Sequence, residues 1–128
     1  MKLVNVATMR AVEQEANQGG LTYELMMENA GQGLGRWIDQ HLARRRDKAV
    51  TGLVGPGNNG GDTLIALEYL AQHGWKTFAY LARPRSTDDP LPGRLTLAGG
   101  VIYSREDDSG GDQLNQCLLT FFHVAIYL

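Results

Sequence analysis

The sequence predicts an α/β fold with a mostly parallel sheet, and two stretches of the chain carry this prediction. Residues 51–54 form a short apolar run, followed by a glycine-rich loop and by a helix that we expect Asp62 to open. Residues 75–81 are β-prone and lie where a crossover would return a parallel strand beside the first. Together these stretches form one βαβ unit.

The region before this unit is predicted to be helical. Thr8 is suited to cap a first helix that ends near Gly19, and Thr22 to cap a longer second helix. The expected buried stripe of the second helix consists of Met26, Ala30, Gly33, Leu34, Trp37, Ile38 and His41. Glycines at positions 31, 33 and 35 weaken a helix by about 1 kcal/mol each relative to Ala, so we expect them to permit close approach of another element.

After the unit, two further strands and two short helices are expected. The Asp62 helix should end at Gly74, a suitable C-cap residue. A turn-rich loop (86–93) precedes a short helix (94–98) and a third strand (101–103), and an acidic loop (106–112) precedes a helix (112–119) and a fourth strand (123–128). In the acidic loop, Asp107 and Asp108 are interpreted as a solvated turn.

Composition indicates one soluble domain spanning residues 1–128. The chain has 43% hydrophobic and 20% charged residues, which is ordinary for a globular protein. A net charge of −2 gives no general attraction to nucleic acid, and no apolar run is long enough to span a membrane. The single Cys117 fits a reducing compartment, so a cytoplasmic location is expected. An apolar last strand at a sheet edge is compatible with a homodimer.

The glycine-rich loop indicates ligand binding. Glycines at 55, 57, 60 and 61 permit positive φ and close approach of a ligand to backbone N–H groups. Residues 55–60 match G-x-G-x-x-G between a strand and a helix, but residues 81–85 lack the acidic residue that a dinucleotide fingerprint expects. Gly61 and Asp62 exclude a nucleotide-triphosphate loop, which needs Lys and Ser or Thr there. Asp62 favours a hydroxyl, amide or cation as its direct partner.

Two motifs in this order resemble those of the NAD(P)H-hydrate epimerase family. They are G-P-G-N-N-G-G-D at residues 55–62 and M-E-N-A-G at residues 27–31. The resemblance implies a Rossmann-like three-layer sandwich and an isomerase of nicotinamide-cofactor repair that interconverts the R and S hydrates of NADH and NADPH. It also implies a list of cofactor-binding residues, which are Asn58, Asn59, Gly60, Gly61 and Asp62.

The resemblance further implies a potassium ion bound by Asn59, whose amide oxygen is a suitable hard donor. Asn29 is expected to support the loop as a buried amide. The alignment places Tyr127 where the family has a second potassium ligand, an Asp. The family's later G-T-G and D-x-P-S-G segments, the second of which holds the catalytic Asp, do not occur among the 128 residues. We therefore expect a truncated domain, ending after about the fourth strand, that binds hydrated NAD(P)H without epimerising it.

An alternative is a non-catalytic NADP- or nucleotide-binding module. In that reading the loop at residues 55–60 holds a pyrophosphate, and Arg83 and Arg85 accept the 2′-phosphate of NADP. The histidines at positions 41, 73 and 123 form no triad pattern and are interpreted as structural, as is Cys117. The basic run at residues 44–46 is interpreted as a solvated helix end.

Overall fold

The computed structural model describes residues 11, 14, 22–42, 48–120 and 124–127. The elements with described bounds, in chain order, are α1 (Tyr23–Leu42), β1 (Ala49–Val54), α2 (Asn58–Gln72), β2 (Lys76–Leu81), α3 (Leu91–Leu97), β3 (Val101–Ser104), a 3-10 turn (Arg105–Asp107), α4 (Asp112–Thr120) and β4 (Val124–Tyr127). Apart from positions 11 and 14, which are helical, the predicted helix after Thr8 lies outside the described residues. The same is true of the basic run at 44–46.

The four strands form one parallel sheet in the order β3-β2-β1-β4. Val54 pairs with Leu81, and Leu81 pairs with Ser104, so the carboxyl ends of β1, β2 and β3 meet at one edge. The predicted α/β class and the predicted βαβ unit are therefore confirmed. The predicted fourth strand is also present and lies beside β1.

Helix α2 packs against the centre of the sheet. Its Leu64, Leu67 and Leu70 are fully buried, as expected from their helical spacing. Gly52 of β1 faces this helix, and a Cβ atom there would lie only 2.7 Å from Thr63 Cγ2 and 2.8 Å from Leu67 Cδ1. Glycine at position 52 thus lets the helix lie close to the strand. The helix ends as predicted, with Gly74 at a φ of +87°.

Helix α1 packs on α2 through two of its three glycines. A Cβ atom on Gly31 would lie 2.5 Å from Ile65 Cβ, and one on Gly35 would lie 2.9 Å from Tyr69 Cβ. A Cβ atom on Gly33 would contact no described residue within 4 Å outside the helix's own backbone, so close approach explains only the other two glycines. Leu25 N donates to Thr22 Oγ1 at 3.1 Å, which confirms the predicted cap.

The buried face of α1 differs from the predicted stripe. Trp37 is 53% exposed, and His41 is also exposed. The side that packs on the core consists of Met27, Gly31, Leu34, Gly35, Ile38 and Leu42. It is rotated by about one residue, or ~100° on a helical wheel, because the helix is placed by backbone contact at its glycines and not by its largest apolar side chains.

The acidic loop contains a buried cap, so the prediction of a solvated turn is wrong for Asp108. This residue is 7% exposed. Its carboxylate accepts from Tyr80 Oη at 2.9 Å, from Gln113 N at 3.1 Å and from Leu114 N at 3.2 Å. Burial acts to raise the pKa of Asp108, but these hydrogen bonds outweigh it and lower the pKa. Asp108 therefore fixes the start of α4.

Candidate functional site

The glycine-rich loop lies where the strand order of the sheet reverses. The chain runs from β1 outward through β2 to β3 and then returns to place β4 on the other side of β1. In open parallel sheets, ligand crevices lie outside the carboxyl ends of the strands at such a switch point. Residues 55–57, which follow β1 directly, occupy this position.

Helix α2 begins four residues earlier than predicted. Gly57 is its N-cap residue, with extended backbone and no side-chain cap, and Asn58 is its first residue. The expectation that Asp62 opens the helix is therefore wrong. Asn58 and Asn59 lie in the first helical turn and Asp62 in the second, so these three polar side chains are carried by a helix and not by a loop.

Two of the loop glycines serve the protein's own packing. The described glycines with positive φ are 74, 99 and 111, so the predicted use of positive φ at 55, 57, 60 and 61 is wrong. A Cβ atom on Gly60 would overlap Gly55 O, and one on Gly61 would overlap Met27 Sδ. Close packing thus accounts for glycine inside this helix, where it is otherwise unfavourable.

A cleft of about 170 Å³ lies between α1 and α2. One wall is largely apolar and comes from α1, and the other is polar and comes from α2. The lining residues are Tyr23, Met26, Met27, Ala30, Asn58, Asn59 and Asp62. Sites for whole drug-sized ligands are typically ~300–1,000 Å³, so this cleft has room for one ring or head group of a larger molecule.

Asp62 supplies a carboxylate to the cleft. It is half-buried, and burial raises the pKa of its carboxyl group. Among the described residues, no side chain or backbone donor forms a hydrogen bond or ion pair with this carboxylate. A partly desolvated carboxylate without a partner is unfavourable in the free protein, and a ligand donor or a cation would relieve this cost.

The start of α2 adds hydrogen-bond donors to the same place. The N–H groups of the first helical turn have no acceptor within the helix, and the first backbone bond of α2 is from Gly61 N to Gly57 O at 3.2 Å. The side chain of Thr63 donates back to Asn59 O at 3.0 Å. The site therefore offers amide donors, amide acceptors and one carboxylate to a polar ligand.

The structure brings together three of the five predicted cofactor-binding residues at the cleft. Asn58, Asn59 and Asp62 line it, whereas Gly60 and Gly61 lie beneath, against the protein's own atoms. Asn29 is exposed, so the expectation of a buried supporting amide is wrong. Four lining residues of α1 are absent from the predicted set, namely Tyr23, Met26, Met27 and Ala30. The upstream helix motif at residues 27–31 contains two of them and lies close to the other two along the chain.

Of the four residues interpreted as structural, the structure describes His41, His73 and Cys117. His41 and His73 each contact the carbonyl oxygen four residues earlier and stack on Trp37 and Tyr69, respectively. Cys117 is 5% exposed. His123 lies outside the described residues.

Of the two arginines in the alternative reading, Arg83 is exposed, and Arg85 is committed to internal contacts. Arg85 forms an ion pair with Asp89 and donates to two carbonyl oxygens of the glycine-rich loop. Within the described residues there is no cluster of three or more His, Cys, Asp or Glu side chains that could hold a metal ion. None of the described helices is both long and apolar enough to cross a bilayer.

Comparison with known proteins agrees with this architecture. The chain is similar to the crystal structure of the yeast protein YNL200c, with a TM-score of 0.75 and 24% identity, over 90% of this chain and 51% of that one. It is 38% identical over 96 residues to a protein named NAD(P)H-hydrate epimerase from Yarrowia lipolytica, covering 71% of this chain and 38% of the relative.

A second relative is named bifunctional NAD(P)H-hydrate repair enzyme Nnr, from Thermofilum pendens. It is 36% identical over 133 residues, covering 98% of this chain and 24% of the relative. The chain thus spans well under half the length of both relatives. The model of the family described as YjeF-related protein N-terminus matches residues 23–99, which include α1, the glycine-rich loop and the cleft between α1 and α2. The chain therefore belongs to the YjeF-related protein N-terminus family.

Proposed function

We propose that this chain carries the substrate-binding part of an NAD(P)H-hydrate epimerase domain. The observation that supports the proposal is the cleft between α1 and α2. In this cleft the carboxylate of Asp62, which has no hydrogen-bond or ion-pair partner in the described part of the chain, lies beside the amides of Asn58 and Asn59. The relatives named as NAD(P)H-hydrate epimerases supply the substrate class. In this proposal Asn58, Asn59 and Asp62 contact hydrated NADH or NADPH, and Gly60 and Gly61 hold the helix start in place.

A hydrated nicotinamide ring has polar groups that suit the polar wall of the cleft and a ring surface that suits the apolar wall. Hydration adds water across one ring double bond, so that one ring carbon gains a hydroxyl group and its neighbour gains a hydrogen. The ring thus gains a hydrogen-bond donor and keeps its carboxamide. The Asp62 carboxylate accepts from the hydroxyl group, and the Asn amides pair with the carboxamide. The ring itself packs against Tyr23 and Met26.

A potassium ion fits the same donor set. Potassium prefers hard oxygen ligands, and the amide oxygen of Asn59 and the carboxylate of Asp62 are of that kind. Burial raises the pKa of Asp62 by disfavouring its charged form, and a cation bound beside the carboxylate would favour that form again. We propose Asn59 as the potassium ligand and expect binding of the hydrate to be stronger in potassium than in sodium buffer.

We further propose that residues 1–128 bind the hydrate without epimerising it. Moving a proton at the epimerised carbon needs a positioned acid–base group. The D-x-P-S-G segment that supplies it in the family does not occur in these 128 residues. A purified chain of this length that catalyses epimerisation would contradict this proposal.

The experiment is a calorimetric titration of the chain with NADPH hydrate and with NADPH, in potassium and in sodium buffer. We expect the hydrate to bind more tightly, and Asn59→Ala and Asp62→Asn to weaken its binding by about 10- to 100-fold, the effect of losing one or two hydrogen bonds. Asn115→Ala is the matched control, since Asn115 is exposed on α4 away from the cleft. Equal affinities of the wild type and both cleft variants would refute the proposed site.

The titration also tests the alternative of a non-catalytic NADP-binding module. The open N–H groups at the start of α2 favour it, since such groups bind phosphate. Asp62 in the second turn and the commitment of Arg85 to internal contacts weigh against it. Equal binding of NADPH and its hydrate, with a loss of affinity in Arg83→Ala, would support the module over the epimerase.

A further inference from the structure

Arg85 is a nearly buried cation beneath the glycine-rich loop. Its side chain is 9% exposed. The Nη1 atom donates to Gly55 O at 2.7 Å and to Gly57 O at 3.0 Å, and the Nε atom donates to Asp89 Oδ2 at 2.6 Å. One guanidinium thus connects the loop that follows β1 with the loop that follows β2.

The pair with Asp89 also extends to the start of α3. The side chain of Asp89 is 12% exposed, and its second oxygen, Oδ1, accepts from Leu91 N at 3.0 Å. This contact explains why α3 begins at Leu91 and not at residue 94 as predicted. The glycine-rich loop and the start of α3 are therefore held by one continuous set of hydrogen bonds.

We propose that Arg85 is a positioning residue that holds the loop and the first turn of α2 in the geometry needed for ligand binding. Gly57 O accepts both from Arg85 and from Gly61 N, at 3.2 Å, in the first helical bond. In a trans peptide the N–H group points opposite to the carbonyl oxygen, and the described chain has no cis peptide bond. Holding Gly57 O therefore directs Asn58 N–H outward from the helix start.

The shape of the guanidinium suits this task. Its donors lie in a fixed planar fork, so one group can hold two carbonyl oxygens and a carboxylate at once, whereas a lysine supplies one flexible point charge. The fit is tight, because a Cβ atom on Gly60 would lie 2.7 Å from Arg85 Nη1. Arg85 does not line the cleft, so it acts on a ligand through Asn58 and Asn59.

The first test does not need a ligand. In Arg85→Lys, we expect amide hydrogen exchange at Gly61 to be about tenfold faster, because the charged hydrogen bond that holds Gly57 O, the acceptor of Gly61 N–H, is weakened. Exchange at Leu70 in the core of α2 should be unchanged. Asp89→Asn should give a smaller change in the same direction. Arg105→Lys is the matched control, because Arg105 Nη1 also donates to two carbonyl oxygens, of Asp108 and Ser109, in a different loop.

Unchanged exchange at Gly61 in both folded variants, Arg85→Lys and Asp89→Asn, would overturn the proposal. Equal acceleration at Gly61 and Leu70 would also overturn it, since that indicates a general loss of stability. The second test rests on the proposed function and measures affinity for NADPH hydrate, which Arg85→Lys should lower by about tenfold. If the wild type fails to bind the hydrate, the proposed function fails, while the exchange experiment still decides the role of Arg85.

Discussion

Arg94 of α3 and Glu28 of α1 form an ion pair although they are 66 residues apart in the chain, with Nη2 and Oε1 2.8 Å apart. The same guanidinium pairs with Glu68 of α2, with Nε and Oε2 2.7 Å apart. Arg94 of α3 thus forms ion pairs with both helices that line the cleft, α1 and α2. The glutamate of the M-E-N-A-G motif forms this ion pair and does not line the cleft that holds Asp62.

Replacing Arg94 by Met should lower the free energy of unfolding by about 1–2 kcal/mol. Each partly exposed ion pair contributes at most about 1 kcal/mol, and the variant leaves Glu28 and Glu68 without their shared counter-charge. Chemical denaturation measures the change. Arg36→Met is the control, because Arg36 is exposed on α1 and forms no ion pair within the described residues. An equal loss in both variants would show that the ion pairs do not stabilise the fold.

The pair between Glu28 and Arg94 should make stability depend on acid pH. The hydrogen bond from Arg94 is the main cause that lowers the pKa of Glu28 below its ordinary value of 4.5. A lowered carboxyl pKa stabilises the folded state fully above the ordinary value, and this stabilisation is lost as pH falls through the lower folded-state pKa. Unfolding curves of the wild type and Glu28→Gln, measured from neutral pH to below 4, should converge as pH falls. A constant difference across this range would contradict the assignment.

Two glycines of α1 should respond to alanine in opposite directions. Gly31→Ala should lower the free energy of unfolding by about 1–3 kcal/mol, the cost of overpacking, because its methyl group would overlap Ile65. Gly33→Ala should raise it by about 0.5–1 kcal/mol, the difference in helix propensity, since the space around Gly33 is open. Thermal and denaturant unfolding of the two variants test this directly. The same sign of effect at both positions would exclude the observed packing of α1 on α2.

The carboxylate of Asp62, which we propose contacts the ligand, should lower the free energy of unfolding of the free protein. Burial raises the pKa of Asp62, so the folded protein holds the proton more tightly than the unfolded chain, and stability decreases as pH rises through the folded-state pKa. Asp62→Asn should therefore raise the free energy of unfolding at neutral pH, by less than ~1 kcal/mol because water screens the half-buried group.

The two effects of Asp62→Asn are measured separately. Denaturation of the free protein reports the gain in stability, and titration with NADPH hydrate reports the loss of affinity. Asp88→Asn is a control for the change of net charge, because Asp88 is exposed in the loop before α3. A variant that is less stable and still binds the hydrate would contradict the assigned role of Asp62.

Most elements of the fold could be predicted because their signals are local. Short apolar, β-prone runs identify the strands. Thr22 and Gly74 identify helix ends, through hydrogen bonds and backbone conformations that involve neighbouring residues. The buried face of α1 could not be predicted in this way. Its position depends on the contact of Gly31 with Ile65, which are far apart in the chain.

The same distinction applies to the candidate site. The glycine-rich stretch indicated a ligand-binding loop, and its place between a strand and a helix is confirmed. The early start of α2 could not be predicted because Gly60 and Gly61 disfavour a helix in isolation, and their close contacts with Gly55 and Met27 involve residues outside this helix. The burial of Asp108 could not be predicted either, because it depends on contact with Tyr80 of β2, which is distant in the chain.

Local patterns of residues predict the α/β class, the parallel βαβ unit and the place of Asn58, Asn59 and Asp62 after β1, and the motifs at residues 27–31 and 55–62 identify the family. Three features could be learned only from the fold: the packing of Gly60 and Gly61 against the protein's own atoms, the face of α1 that packs on α2, and the hydrogen bonds of Arg85 to the glycine-rich loop. They depend on contacts between residues far apart in the chain, and no local pattern identifies the partners in such contacts.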